Sequence, residues 1–159
     1  MARKDITMNQ AELVAFLTEG RKVLQVATIG KDGAPHLAPM WYVMVEGKVV
    51  FRSFTKSQKI VNLNRDPRLS VLVETGDTYT ELKGAMIKGS ATLVTDPDYV
   101  LSIYGKLAAR YPMFGDEPIE LDAATLDQAF GRFAAKNTAV IVEPASIASW
   151  DHSKLGGTY

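Results

Sequence analysis

A chain of 159 residues, 47% hydrophobic and 23% charged, carries enough apolar content for one packed domain and too much for a disordered chain. Its 18 Lys and Arg balance 18 Asp and Glu, so no global field recruits nucleic acid, an anionic membrane or an acidic partner, and any anion site must be local. Cysteine is absent, which excludes disulfides, thiolate zinc sites, iron–sulfur clusters and cysteine nucleophiles.

One domain over 1–159 is expected, with a core at 8–150 and a tail at 151–159. Asn9-Gln10-Ala11-Glu12 places Glu three positions after a capping residue, and Leu13, Val14, Phe16 and Leu17 follow at helical spacing. This predicts a helix near 9–19 that Gly20 ends. Val23 to Ile29 is a β-branched run closed by Gly30-Lys31-Asp32-Gly33, whose Asp-Gly pair suits a hairpin. Pro35 to Val45 is the expected partner strand and Lys48 to Phe54 a third, turning at Glu46-Gly47, so that three antiparallel strands form a meander.

Thr55-Lys56-Ser57-Gln58 fits a second capping box and predicts a short helix to Asn64, ended by Asp66-Pro67. Strands follow at Leu69 to Glu74 and Leu82 to Val94, then helices from Asp96 to about Arg110 and near Leu121 to Phe133. Thr138 to Glu143 is the last strand, and an irregular tail runs to Tyr159. The resulting six strands, mostly joined by tight turns, predict a mainly β, antiparallel barrel. Strands such as Val23 to Ile29 and Met40 to Val45 are apolar on both faces, and a symmetric homodimer would bury the face that the barrel cannot.

No apolar stretch approaches the ~20 residues of a membrane helix, and Met1-Ala2-Arg3-Lys4-Asp5 leads into no secretory h-region, so a cytoplasmic protein without membrane contact is expected. His36 and His152 are the only histidines, and neither has a second ligand at metal-binding spacing. No metal site is expected. Asp151-His152-Ser153 holds the letters of a hydrolase triad, but consecutive residues do not chain nucleophile, base and orienting acid.

Two segments stand out chemically. From Lys48 to Arg65 there are five basic residues, Lys48, Arg52, Lys56, Lys59 and Arg65, and no acidic one. A helix starting between Lys56 and Lys59 would add amide donors and a positive dipole end near Ser57 and Gln58, a phosphate site; a solvated basic face fits the same charges. Pro35-His36-Leu37-Ala38-Pro39-Met40-Trp41-Tyr42 places two prolines in a strand, which suits backbone lying against a ligand or a protected sheet edge. Acidic residues at 116–127 read as a solvated face. The tail around Trp150 either caps a pocket or is loose surface chain. Zero net charge and the lack of an interleaved aromatic and basic stripe argue against nucleic acid.

The order of these pieces, with Thr55-Lys56-Ser57-Gln58-Lys59, Asn62-Leu63-Asn64-Arg65-Asp66-Pro67-Arg68-Leu69-Ser70-Val71, Pro35-His36 to Trp41 and Trp150-Asp151-His152-Ser153-Lys154-Leu155-Gly156, resembles the split β-barrel flavin-binding superfamily named after pyridoxamine 5′-phosphate oxidase. More narrowly it is similar to the deazaflavin (coenzyme F420)-dependent reductases of its B group. The resemblance implies a homodimer of split barrels and hydride transfer from reduced F420 to a small organic acceptor, a conjugated carbonyl, quinone or tetrapyrrole-like molecule. FMN is the alternative cofactor, and a non-catalytic flavin, deazaflavin or haem carrier the alternative role.

It further implies that Ser57 and Lys59 grip the cofactor phosphate, with Arg52, Ser53, Thr55 and Lys56 beside them. Backbone of Ala38, Pro39, Met40 and Trp41 would lie along the ring, and Trp150 and His152 would approach the substrate pocket. No side chain is assigned as catalytic. The sequence departs from true pyridoxamine phosphate oxidases where they carry an arginine and a lysine in the second strand, here Leu37 and Tyr42, and a glutamine, here Gly84. Their closing Arg-Leu-x-Pro signature is absent too, so vitamin oxidation is disfavoured.

Overall fold

The computed structural model describes residues 5–156; residues 1–4, read above as leading into no h-region, and the tail end 157–159 lie outside the described residues. In chain order the elements are α1 (Gln10–Thr18), β1 (Leu24–Ile29), β2 (Pro35–Met40), β3 (Val43–Val45), β4 (Lys48–Phe54), α2 (Gln58–Arg65) and β5 (Arg68–Thr75), followed by β6 (Lys83–Val94), α3 (Pro97–Ala108), α4 (Ala123–Ala134) and β7 (Asn137–Asp151). Short 3-10 turns occupy Tyr79–Glu81 and His152–Leu155. All seven strands join one antiparallel sheet in the order β2-β1-β5-β6-β7-β4-β3, which bears out the expected mainly β, antiparallel architecture.

The sheet curls around a core of Leu24, Val26, Phe51, Val71, Val73, Val140 and Val142, covered by Leu13, Phe16 and Leu17 of α1 and Ile60 and Leu63 of α2. A second apolar layer joins Val50 and Ala139 to Val100, Ile103, Tyr104 and Leu107 of α3 and Phe130 of α4. The first helix forms where its capping box predicts: Asn9 Oδ1 accepts from the Glu12 amide at 2.9 Å and Glu12 Oε2 from the Asn9 amide at 2.8 Å.

The expected meander needs correction. The chain from Pro35 to Val45 is two strands, β2 pairing only with β1 and β3 only with β4, on opposite edges of the sheet. The break is at Trp41-Tyr42, where tertiary contacts override strand propensity. Trp41 stacks on Tyr111 with ring centroids 4.8 Å apart, and the fully buried Tyr42 donates its hydroxyl to the Leu17 carbonyl at 2.8 Å. Arg110 locks this corner, donating to the carbonyls of Gly20 (2.9 Å), Tyr42 (3.2 Å) and Leu17 (3.0 Å).

The tail is also more regular than expected. β7 continues to Asp151, pairing along β6 from Val94↔Ala139 to Lys83↔Asp151, with a register shift between Lys88 and Gly89 that leaves Ala145 unpaired. Asp151 then pairs with Lys83 at 3.0 Å, and Lys154 ties the following turn to Glu12 at 2.6 Å. No helix among the described residues is long and apolar enough to cross a membrane.

Candidate functional site

Strand period divides the basic stretch before any chemistry is considered. Along β4, Phe51 and Ser53 face the curled core and α2, while Val50 and Arg52 face α3. Arg52 therefore does not join Ser53, Ser57 and Lys59. Lys48 is neutralised by Glu143 at 2.6 Å, and Arg65 donates to the Ile29 carbonyl at 2.6 Å. Lys56 is exposed in the turn before α2.

Ser53, Ser57 and Lys59 do converge. Their hydroxyls lie 2.9 Å apart, and Lys59 Nζ donates to Ser53 Oγ at 3.3 Å. Ser57, rather than the expected Thr55, is the residue before the first turn of α2. Thr55 lies in the turn that Ser57 N–H closes on Phe54 C=O at 2.8 Å, held there because its amide donates to the Lys136 carbonyl at 3.0 Å and its hydroxyl meets that of Thr138 at 2.9 Å. The Ser57 side chain makes no capping bond to its own helix, and no acidic residue occupies the first turn. The first bond of the helix is Val61 N–H to Ser57 C=O at 3.0 Å, so the amides of Gln58, Lys59 and Ile60 precede it. Burial lowers the Lys59 ammonium pKa from its ordinary value, and no carboxylate pairs with it among the described residues. Two hydroxyls, a desolvated cation and a positive helix end are the donor set a phosphate monoester or diester uses.

The other side of β4 opens a cavity of about 330 Å³ lined by Val23, Pro39, Met40, Trp41, Arg52 and Leu107. It brings together three of the four residues expected along a cofactor ring; Ala38 sits one position earlier on β2, opposite Val26. The Arg52 guanidinium lies over the Tyr104 ring at 3.9 Å, and its Nη1 donates to Asn137 Oδ1 at 3.2 Å. Val23, Tyr104, Leu107 and Asn137 were missed in sequence; a Tyr and a Leu on the apolar face of α3 read as core, and nothing local marks Asn137 as an arginine partner. A larger hollow of about 600 Å³ lies among β1, β5 and β6, but no expected site residue lines it.

Trp150 and His152 form a separate group within one chain. Trp150 pairs with Gly84 and lays its indole where a Cβ on residue 84 would stand, so a longer side chain there would displace it. His152 Nδ1 lies 2.9 Å from the Tyr79 carbonyl, with the two rings 4.6 Å apart. Gly84, Met86 and Trp150 share the outer face of the sheet with Pro39, Leu72 and the well-exposed Leu37. Leu37 is thus a surface apolar residue, and Tyr42 a core one. No cluster of three or more potential metal ligands occurs among the described residues.

A solved structure described as a conserved hypothetical protein, Rv2991 from Mycobacterium tuberculosis, is 36% identical, with a TM-score of 0.84 and coverage of 100% of this chain and 94% of that one. One described as an F420 reductase is 24% identical, with a TM-score of 0.63 and coverage of 84% and 94%. An FAD-binding protein from Mesorhizobium loti is 18% identical, with a TM-score of 0.61 and coverage of 90% and 93%. No curated protein matches the chain. The family model for pyridoxamine 5′-phosphate oxidase matches residues 10–141, from the start of α1 into β7 and across every residue of the Lys59 cluster; the chain belongs to that family.

Proposed function

We propose that the protein is a homodimeric reductase that takes hydride from reduced coenzyme F420 and delivers it to an organic acceptor such as a conjugated carbonyl, quinone or tetrapyrrole-like molecule. The carrying observation is the Ser53–Ser57–Lys59 cluster at the start of α2, where the Ser57 side chain makes no cap and the cation has no carboxylate partner among the described residues, in a chain of zero net charge. The 24% identity to a structure described as an F420 reductase adds support for this cofactor over FMN. In this reading Ser57 and Lys59 hold the phosphate, Ser53 orients the Lys59 ammonium, and Thr55 fixes the turn through Thr138. Lys56 contributes charge at the rim. Backbone of Ala38, Pro39, Met40 and Trp41 supports the ring, and the apolar walls of the cavity exclude water from the acceptor. When bound, the reduced deazaflavin supplies the hydride. No nucleophilic side chain is needed; the chain binds and orients.

A second copy of the chain completes this arrangement. Ala27, Ile29, Leu72 and Met86 turn away from the core and Leu37 is 66% exposed, an apolar outer face that one copy leaves in water. A partner there would bring its Trp150 and His152 towards the Pro39–Trp41 segment. Titration of apoprotein with F420 and FMN side by side, followed by an acceptor screen with reduced cofactor, tests the function. Tight F420 binding with turnover supports it. Preferred FMN binding moves the assignment to a flavin oxidoreductase, and binding without turnover across the screen to a carrier. A monomer by sedimentation would remove the dimeric part.

A further inference from the structure

Arg52 and Lys59 are the two half-buried cations of the basic stretch that no carboxylate pairs with among the described residues, and of these Arg52 is the one that lines a cavity. It is half-buried, stacked on Tyr104 at 3.9 Å, and lines a cavity whose other walls, Val23, Pro39, Met40, Trp41 and Leu107, are apolar. Its orientation is fixed rather than adaptable. Asn137 donates through Nδ2 to the Phe133 carbonyl at 2.9 Å, which turns Oδ1 towards Arg52 Nη1 at 3.2 Å. Among the described residues Nη1 is the only nitrogen of the guanidinium given an acceptor, and the buried Nε has none. Arg52 forms no ion pair among the described residues. A guanidinium stays charged even where burial disfavours the charge, so the unpaired charge carries a standing cost that an anion in the cavity would offset.

We propose that Arg52 is a substrate-specificity residue that binds the carboxylate of an aryl or enone acid in this cavity, so that the acceptor class of the reductase is anionic. This rests on the reductase reading for the word acceptor, but the binding itself does not need the cofactor. A planar guanidinium matches a carboxylate, and apolar walls that include the Trp41 indole, held by its stack on Tyr111, match a conjugated body. The phosphate is excluded as its ligand by position, since Ser53, Ser57 and Lys59 stand on the opposite face of β4.

The test is calorimetric titration of the full-length apoprotein with trans-cinnamate and with cinnamamide, which share a shape and differ in charge. Cinnamate is expected to bind at least ~10-fold more tightly, the usual effect of a charge-assisted hydrogen bond. Arg52→Met should abolish that preference, Arg52→Lys should retain part of it, and Lys59→Met should leave it intact. Equal binding of acid and amide, no measurable binding of either, or a preference that survives Arg52→Met overturns the proposal. Because the acid–amide comparison is made on the unaltered protein, a variant that fails to fold does not rescue it. Titration of the same proteins with F420 separates the two readings: loss with Lys59→Met but not Arg52→Met supports the cofactor site whatever the acid does.

Discussion

Replacing Lys59 with methionine is expected to weaken cofactor binding while leaving the apoprotein at least as stable. The ammonium is half-buried, its single acceptor among the described residues is the Ser53 hydroxyl at 3.3 Å, and burial lowers its pKa from the ordinary 10.5. The charge is thus a cost in the free protein and a gain only when an anion is present. Removing it deletes a charge-assisted contact to phosphate of about 1.5–3 kcal/mol, roughly 10- to 150-fold in Kd. The apoprotein loses a desolvated charge and retains the methylene packing. Lys48→Ala is the control, since Glu143 at 2.6 Å already neutralises Lys48, and its effect on binding should be within about 0.5 kcal/mol. Fluorescence titration of the cofactor and denaturant unfolding, run on both variants, read the two quantities. Unchanged affinity in Lys59→Met would refute the phosphate assignment, and equal losses at Lys59 and Lys48 would mean diffuse attraction in place of a site.

Cofactor affinity should also fall with rising pH, because only the protonated amine holds the anion. The depressed pKa of Lys59 puts that fall below the ordinary lysine range, and Lys59→Arg should remove it; a flat profile in the unaltered protein would contradict the role. In the window between the folded pKa and 10.5 the unfolded chain binds more protons, so apoprotein stability should rise with pH there and the rise should vanish in Lys59→Met. Arg110→Ala should cost about 2–4 kcal/mol: the buried Tyr42 carbonyl loses its donor and the ring of Tyr42 loses the guanidinium 4.4 Å away, whereas the Leu17 carbonyl keeps the Tyr42 hydroxyl. Chemical denaturation measures it, and a loss below 1 kcal/mol would contradict the clamp. Gly89→Ala should destabilise by about 2 kcal/mol or more, because a Cβ there collides with the Glu143 carbonyl at the irregular point of the β6–β7 pairing; a variant of native stability would contradict that packing.

Local signals carried the parts of the fold whose partners are close in sequence. The Asn9–Glu12 capping box, the Gly30-Lys31-Asp32-Gly33 turn and the alternation of β6 are all decided within a few residues, and each element stands where those residues put it. The break between β2 and β3 is set instead by Tyr111, Arg110 and Leu17, contacts at sequence separations of 70, 68 and 25 that a reading of Met40-Trp41-Tyr42-Val43 does not contain. The outer half of β7 is Pro144-Ala145-Ser146-Ile147-Ala148-Ser149, a sequence of low strand propensity that becomes a strand because β6 offers it a ladder.

The candidate site shows the same division. Ser57 and Lys59 were legible because their convergence depends on one helix turn, with Ser53 joining from the adjacent strand end. Counting cations along the chain grouped Arg52 with them, although the period of two in β4 already puts neighbours 52 and 53 on opposite faces. Glu143, which cancels Lys48, is 95 residues away in sequence, and Asn137, which aims Arg52, is 85 away; neither pairing leaves a local trace.

The most direct measurement is a crystal structure of the protein with F420 bound. The account places the phosphate within hydrogen-bonding distance of the Ser57 hydroxyl and the Lys59 ammonium, with the ring alongside the Ala38–Trp41 backbone. A phosphate seated elsewhere, with the Lys59 amine still held only by Ser53, would contradict it.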